Sequence, residues 1–537
     1  MQAIFHVLQR HGYVTRLAGK EDYVTGGHSM SVRINAWTMY TEFPYNLTRF
    51  EPWQEESPIC RSNGTVTPTI PETPEESASH KDDWKALNET LDWIRDYHSR
   101  NQAQPFFVYQ GMNIVHPPYH TNDYWLQKID KSKIMVPQWP RDLSKMHPCD
   151  VHQSMLKGCF PVSEEDAVNV YSVQRRRQIR RIYYAMIAEF DAMVGRYMDL
   201  LDELGLADNT ILMVTSDHGD MQMEHAQFYK MSPYDASSSV PLIIYDPRRR
   251  AVSSSSGNPH HQVVQDHPTQ HVDLFPTILD LAGLGKTSDI PKDLDGHSLV
   301  PFLDRMQQER NGPDQAASIT THRERITTET TRRGLRTSTN ENDDDDDEEE
   351  EAVEVDDSTS STGDRPPFVV TQYHGDDSPM SWFAIVQAFP CMATLPTSNL
   401  GAASSLCMYK LVIWGTGQQV DSQLFALTHD PDENDNLIHD PDYELIVGGL
   451  NTNLESVVDY RAVAQDVARY NRDSFRLWKE RYASNWTDIL NASSLRWHSS
   501  WSRNATQSIA AIEDWLAHGD PAQVQGCKRE AAWPPSP

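Results

Sequence analysis

No stretch of this 537-residue sequence approaches the ~18 consecutive apolar residues of a helical membrane span. There is no basic excess either: 47 Lys and Arg stand against 77 Asp and Glu, for a net charge of −30. Nucleic-acid binding needs a basic surface for phosphate contacts, so the acidic balance argues against that class. Apolar residues make up only 38%, low for a uniformly packed globule, which implies that part of the chain stays outside any core. No internal repeat is present. The opening "MQAIFHVLQRHGYVT" lacks the basic start, apolar run and small-residue cleavage site of an export signal.

What is present argues for export all the same. Six N-x-S/T sequons occur, at Asn46, Asn63, Asn88, Asn485, Asn491 and Asn504. That number fits a chain that meets the glycosylation machinery. Six cysteines are compatible with an oxidising compartment, and Cys149/Cys159 and Cys391/Cys407 are close enough in sequence to bridge. The expectation is a lysosomal or secreted protein whose true N-terminus precedes Met1.

The length suggests two or three domains. Up to about residue 300, strand and helix patterns alternate. "PFFVYQGM" (105–112), "TILMVTSDHGD" (210–220) and "VPLIIYDP" (240–247) read as strands. Residues 175–206 carry Ile182, Met186, Phe190, Met193 and Tyr197 at helical spacing and close on Gly205. "HVDLFPTILDLAGL" (271–284) reads as a helix after an Asp cap. The order predicts an α/β fold with helices on the faces of a sheet. From 305 to 366 the chain is Thr-, Arg- and Ser-rich, and Glu341 to Asp357 holds thirteen acidic residues and no basic one. Such a segment buries too little apolar surface to offset its ordering entropy, so it is expected to be disordered. From 367 to 537, short strands predict a smaller antiparallel sheet followed by a Trp-rich helical tail. The domains expected are therefore 1–304, the 305–366 insert, and 367–537.

"LMVTSDHGDMQMEH" (212–225) places Asp217 and His218 where an apolar strand ends, the usual place for functional groups in α/β sheets. An acid beside an imidazole suits a metal ion, but Asp217 could equally cap the next helix. "QGMNIVHPPYH" (110–120) puts His116 before two prolines, suited to a general acid or to an anion donor, or else a plain loop histidine. Lys20 in "LAGKEDY" and Lys230 in "FYKMSPYD" are cations in short loops that could be ordinary solvated surface.

Together these segments resemble one family. "TSDHGDMQMEHAQFYKMSPYDASSSVPLIIYDP", "QHVDLFPTILDLAGL", "DLDGHSLVPFL" and "LFALTHDPDENDNL" are similar, in order, to the sulfatases of the alkaline phosphatase superfamily. The resemblance covers nearly everything except 305–366. It implies an alkaline phosphatase-like, mostly parallel sheet flanked by helices, and a sulfuric ester hydrolase acting on aryl sulfates or sulfated carbohydrates. It assigns Asp217 and His218 as metal ligands, Lys20, His116 and Lys230 as sulfate-binding residues, and His116 and Lys230 as catalytic. Where the family often has a histidine two positions after the first lysine, this chain has Asp22, and His28 is the candidate substitute. The expected cation is calcium, although the imidazole of His218, where many sulfatases have Asn, leaves manganese or magnesium open.

The family's nucleophile is a formylglycine, made by formylglycine-generating enzyme from the cysteine of C-x-P-x-R. That motif and the Asp-Asp metal pair before it are absent here. Cys60 reads "CRSNG", and Cys159 reads "CFPVS" with Ser where Arg is required. This chain is therefore expected to hold half a metal site and to be inactive by itself. The alternatives are a superfamily phosphatase or phosphodiesterase with a Ser or Thr nucleophile, and a non-catalytic protein that binds sulfated glycans.

Overall fold

The structure is a computed structural model. It describes residues 3–20, 65–67, 77–100, 103–137, 147–150, 153, 172–249, 268–285, 287, 294–311, 366–374, 381–391, 406–418, 420–492 and 505–518. The fold is α/β with a C-terminal antiparallel sheet and helices.

In the first half, helix α1 (Ile4–Arg10) precedes strand β1 (Val14–Gly19). Strand β2 (Thr65–Thr67), helix α2 (Lys81–Ser99), strand β3 (Phe106–Gly111) and strand β4 (His120–Asn122) follow. β1 pairs with β3 and β2 with β4, both in parallel. Helix α3 (Asp123–Leu126) leads on to the long helix α4 (Val173–Glu203). Ser172 starts α4 as expected of an N-cap, its hydroxyl accepting from Arg175 N at 3.2 Å. Ile182, Met186 and Met193 are buried on its apolar face against Leu87, Leu91 and Ile94 of α2. Phe190 and Tyr197 flank the same core, so the helical spacing seen in the sequence is the packing face. A polar clasp joins the two helices inside this core. The Glu189 carboxylate accepts from Ser79 N, His80 N, His80 Nδ1 and Trp84 Nε1 at 2.8–3.0 Å.

Strand β5 (Leu212–Thr215) is shorter than the 210–220 run suggested, because the chain turns at Ser216. After helix α5 (Asp235–Ser238), strand β6 (Leu242–Tyr245) pairs with β5 in antiparallel register, Leu212 opposite Tyr245. The connection, residues 216–241, is long enough for a parallel crossover but carries only the four-residue α5, and it brings the chain back antiparallel. Asp273, expected to cap helix α6 (Leu274–Leu281), makes no side-chain capping bond to that helix; its Oδ2 accepts from Gln270 N at 3.0 Å, closing the capping box of the 3-10 turn His271–Asp273 that precedes it. Helix α7 (Val300–Asn311) runs past the boundary expected at 305. Residues 312–365, including the acidic run, lie outside the described residues.

The second half opens with a four-stranded antiparallel sheet, as expected. It comprises β7 (Phe368–Tyr373), β8 (Trp382–Pro390), β9 (Leu406–Trp414) and β10 (Gln423–Phe425), in the order β10-β9-β8-β7. Helices α8 (Glu444–Glu455), α9 (Tyr460–Arg481), α10 (Trp486–Ala492) and α11 (Ala505–His518) form the tail. Leu411, Ile385, Leu450 and Leu454 are fully buried between the sheet and α8. Cys391 and Cys407 form a disulfide across a separation of 16 residues. By loop closure alone such a bond contributes about 3 kcal/mol. Cys149 is buried, and its candidate partner Cys159 lies outside the described residues, as do Cys60, Asp22 and His28.

Candidate functional site

Two strand ends and one loop build the site. At the carboxyl ends of β1 and β3 the main chains come very close. Gly19 has φ +82°, and a β-carbon there would overlap the Gly111 carbonyl oxygen. This close approach places Lys20, whose N–H donates to Gly111 O at 3.0 Å, beside the loop that leaves β3. The buried Asp83 carboxylate holds that loop by accepting from Asn113 N at 2.9 Å and Ile114 N at 2.8 Å.

His116 follows. Its Nδ1 donates to Pro117 O at 2.7 Å, which leaves Nε2 as an acceptor, and the Tyr229 hydroxyl donates to that nitrogen at 2.7 Å. Burial pushes the His116 imidazole below the usual range. The Pro117 carbonyl opposes this, while Lys20, Lys230 and His218 add to it. His116 is therefore neutral at pH 7.

His218 repeats the pattern at the end of β5. Its Nδ1 donates to Gly219 O at 2.8 Å, and its Nε2 accepts from the Lys230 ammonium at 2.7 Å. Burial again lowers its pKa, with Lys230 adding to the effect, so this ring too is neutral. For Asp217, burial would raise the carboxyl, but the charges of Lys230 and Lys20 and the hydrogen bond from His218 N outweigh it and hold it below the usual range. Asp217 is thus ionised, accepting from His218 N at 3.0 Å. A β-carbon on Gly219 would overlap the Ala236 carbonyl oxygen, and Gly219 N donates to Ser237 O at 2.8 Å. That contact seats the strand end against α5.

The structure thus brings Lys20, His116, Asp217, His218 and Lys230 within electrostatic reach of one another, at the ends of β1, β3 and β5. Asp217, His218 and Lys230 open onto a cleft of about 2010 Å³. Sequence reading passed over three further groups. Tyr229 stood next to a singled-out lysine and orients His116. Asp220, inside the quoted motif, accepts from Gln222 N at 3.0 Å and Tyr229 N at 3.2 Å. His271 Nε2 donates to Ser216 O at 2.8 Å, and its only signal was its place in "QHVDLFP".

Chemically, two ammonium groups in a partly buried site make an anion site. A divalent cation fits the donors in kind: an ionised carboxylate and an imidazole whose Nδ1–H is already committed, leaving Nε2 to ligate. The ammonium of Lys230 holds that same nitrogen, so cation and lysine compete for it. Among the described residues, the one group of three potential metal ligands within 4.8 Å of each other is Cys391, Cys407 and His429, and its two sulfurs are joined as the disulfide. Asp217 and His218 therefore offer a cation two donors.

The sequence model described as Sulfatase matches residues 1–284. Arylsulfatase K of Xenopus laevis is 30% identical over 524 residues, covering 95% of this chain and 77% of that protein. Arylsulfatase K of Mus musculus is 31% identical over 529 residues, covering 96% and 75%. Among solved structures, phosphonate monoester hydrolase SpPMH from Silicibacter pomeroyi aligns at a TM-score of 0.45 with 20% identity, over 85% of this chain and 69% of that one.

Proposed function

Given that the chain belongs to the sulfatase family, we propose that Lys20, His116 and Lys230 bind the sulfate group of a sulfuric ester, carried on a sugar or an aryl alcohol, for hydrolysis at sulfur. The observation that supports this most is the convergence of two ammonium groups and the Tyr229–His116 pair on the strand end that carries Asp217 and His218. A sulfate monoester is an anion whose charge grows on the leaving oxygen during cleavage. Fixed cations in a partly buried site stabilise that charge more than water does. Lys230 is the ammonium closest to the strand end and would neutralise sulfate oxygens. His116 accepts at Nε2 while neutral, and donates there once acid protonates it.

Asp217 and His218 would hold the divalent cation that the family uses, with calcium proposed. When bound, it would supply a Lewis acid for the sulfate oxygens. No cysteine of this sequence stands in C-x-P-x-R, the motif from which formylglycine is made. The disulfide and the six sequons support a lysosomal or secreted glycoprotein.

Two measurements test the reading. Inorganic sulfate should bind the full chain, and Lys230→Ala should weaken binding by roughly 10- to 100-fold, the worth of a charge-assisted hydrogen bond. Equal affinity in wild type and variant would remove Lys230 from the site. The chain co-expressed with formylglycine-generating enzyme should keep Cys60 and Cys159 unconverted by mass spectrometry and leave an aryl sulfate and a sulfated sugar uncleaved. Conversion of either cysteine with turnover would identify a nucleophile.

A further inference from the structure

The segment that carries Lys230 is held in a shape its own residues do not favour. Gln222, Met223, His225, Ala226, Tyr229 and Met231 all have positive φ, from 44° to 79°, and none is glycine. Such conformations persist only where the surroundings over-determine them. Part of the support is internal, from the turn bonds Met221 N to Tyr229 O and Met223 N to Gln227 O, both 2.7 Å.

The rest comes from the C-terminal sheet. Trp382 Nε1 of β8 donates to Met231 O at 3.2 Å. Lys410, in the middle of β9 and 1% exposed, sends its ammonium to Pro233 O at 3.1 Å, to the Asp235 carboxylate, and to Glu433 Oε1 at 2.7 Å. The other Glu433 oxygen accepts from Asp235 N at 2.6 Å. Gln423 of β10 donates to the hydroxyl of the buried Tyr234 at 2.9 Å. Main-chain groups at 231, 233 and 235 are thus gripped by side chains from β8, β9 and the 430s loop.

A lysine buried between Tyr409 and Leu411 gives up hydration that an apolar residue there would not. Two carboxylates share its single ammonium. Burial pushes the Glu433 carboxyl up to about 7, with Asp235 adding to this and Lys410 opposing it. Lys410 itself is held above the usual lysine range: burial opposes this, and Glu433 and Asp235 outweigh it. The ammonium therefore stays charged. A stable core does not require this arrangement, but a loop that must stop at one place does.

We propose that the buried Lys410–Glu433 pair is the positioning element of the sulfate site, setting the loop so that Lys230 and Tyr229 meet His218 and His116. The proposal rests on the reading of Lys230 and His116 as sulfate-binding residues. Neither Lys410 nor Glu433 touches the anion. They act through the backbone at Pro233 and Asp235, a few residues beyond Lys230.

The test uses the full chain, chelator-treated, with inorganic sulfate as the probe. The variants are Lys410→Met and the double variant Lys410→Met/Glu433→Gln. Readouts are the thermal midpoint, the sulfate affinity, and the imidazole 15N shifts of His218 and His116. Both variants should lose about tenfold in sulfate affinity, as loss of an orienting partner commonly does. The His218 Nε2 signal should move toward that of a ring without an ammonium neighbour. The double variant, which leaves no unpaired charge buried, should regain most of the lost thermal midpoint without regaining sulfate affinity. Recovery of both in the double variant would mean that the pair is only structural. Unchanged His218 shift and sulfate affinity in Lys410→Met would overturn the proposal as well. If wild type binds no sulfate, the functional reading fails, and the His218 shift still decides the positioning.

Discussion

Two of the antiparallel strand pairs among the described residues, β5–β6 and β8–β9, share one geometry and differ in burial and in what they carry. The β5–β6 pair leads directly into Asp217 and His218, yet none of its residues is buried, and Ile243 is 57% exposed. The β8–β9 pair carries no site residue but is mostly buried, with Trp414 at 0%. The strand that delivers the chemistry is therefore not the one that supplies rigidity. Firmness is lent to the site from outside, through Trp382, Lys410, Gln423 and Glu433. Binding groups placed on loops and held by a rigid scaffold obey the same logic.

Truncation should show the largest contrast between the pairs. Trp414 stacks on His147 and donates to Gln423 Oε1 at 3.0 Å. Trp414→Ala is expected to lower stability by about 3–5 kcal/mol in urea denaturation. A loss below about 1 kcal/mol would mean that the C-terminal sheet is not the stiff partner.

Acid should weaken the junction between the two regions. His225, in the β5–β6 connection, stacks on Tyr234 at 3.7 Å, and its Nε2 donates to Asp432 O at 3.1 Å. Burial lowers its pKa to about 4 from 6.5, with the Asp432 carbonyl opposing and Lys410 adding. The unfolded chain then binds a proton that the folded chain refuses. The stability contributed by His225 is complete above 6.5 and lost as pH falls toward 4, by roughly 3 kcal/mol. Glu433 works in the opposite sense, its raised pKa giving stability that is lost as pH rises toward 7. The His225 effect must therefore be read as the difference between wild type and His225→Gln across that window. A constant difference with pH would refute the assignment.

The smallest effect belongs to the site-bearing pair itself. Ile243→Ala should change stability by no more than about 0.5 kcal/mol, as for exposed positions generally. A loss above about 2 kcal/mol would show that the face of β6 is packed in solution and would narrow the contrast drawn above.

Much of the fold was legible in local pattern. The helical spacing of Ile182, Met186 and Met193 is the buried face of α4, and the short strands expected after 367 are those of the C-terminal sheet. Asp217 and His218 could be placed at a strand end because an apolar run stops just before them. Periodicity and turn residues act over a few neighbours, so they are written in the sequence. The antiparallel return of β6 was not legible, since it depends on how the long connection after β5 crosses the molecule. Nor was Tyr229 as the partner of His116, 113 residues away, or Lys410 as the anchor of Asp235, 175 residues away. In the sequence, Lys410 is one cation within an apolar strand pattern and Glu433 one acid among several. The sequence alone determined which groups this protein has to offer and on which elements they ride. Tertiary structure alone decided which of them meet, because hydrogen bonds between distant residues form only after the core has brought their elements together.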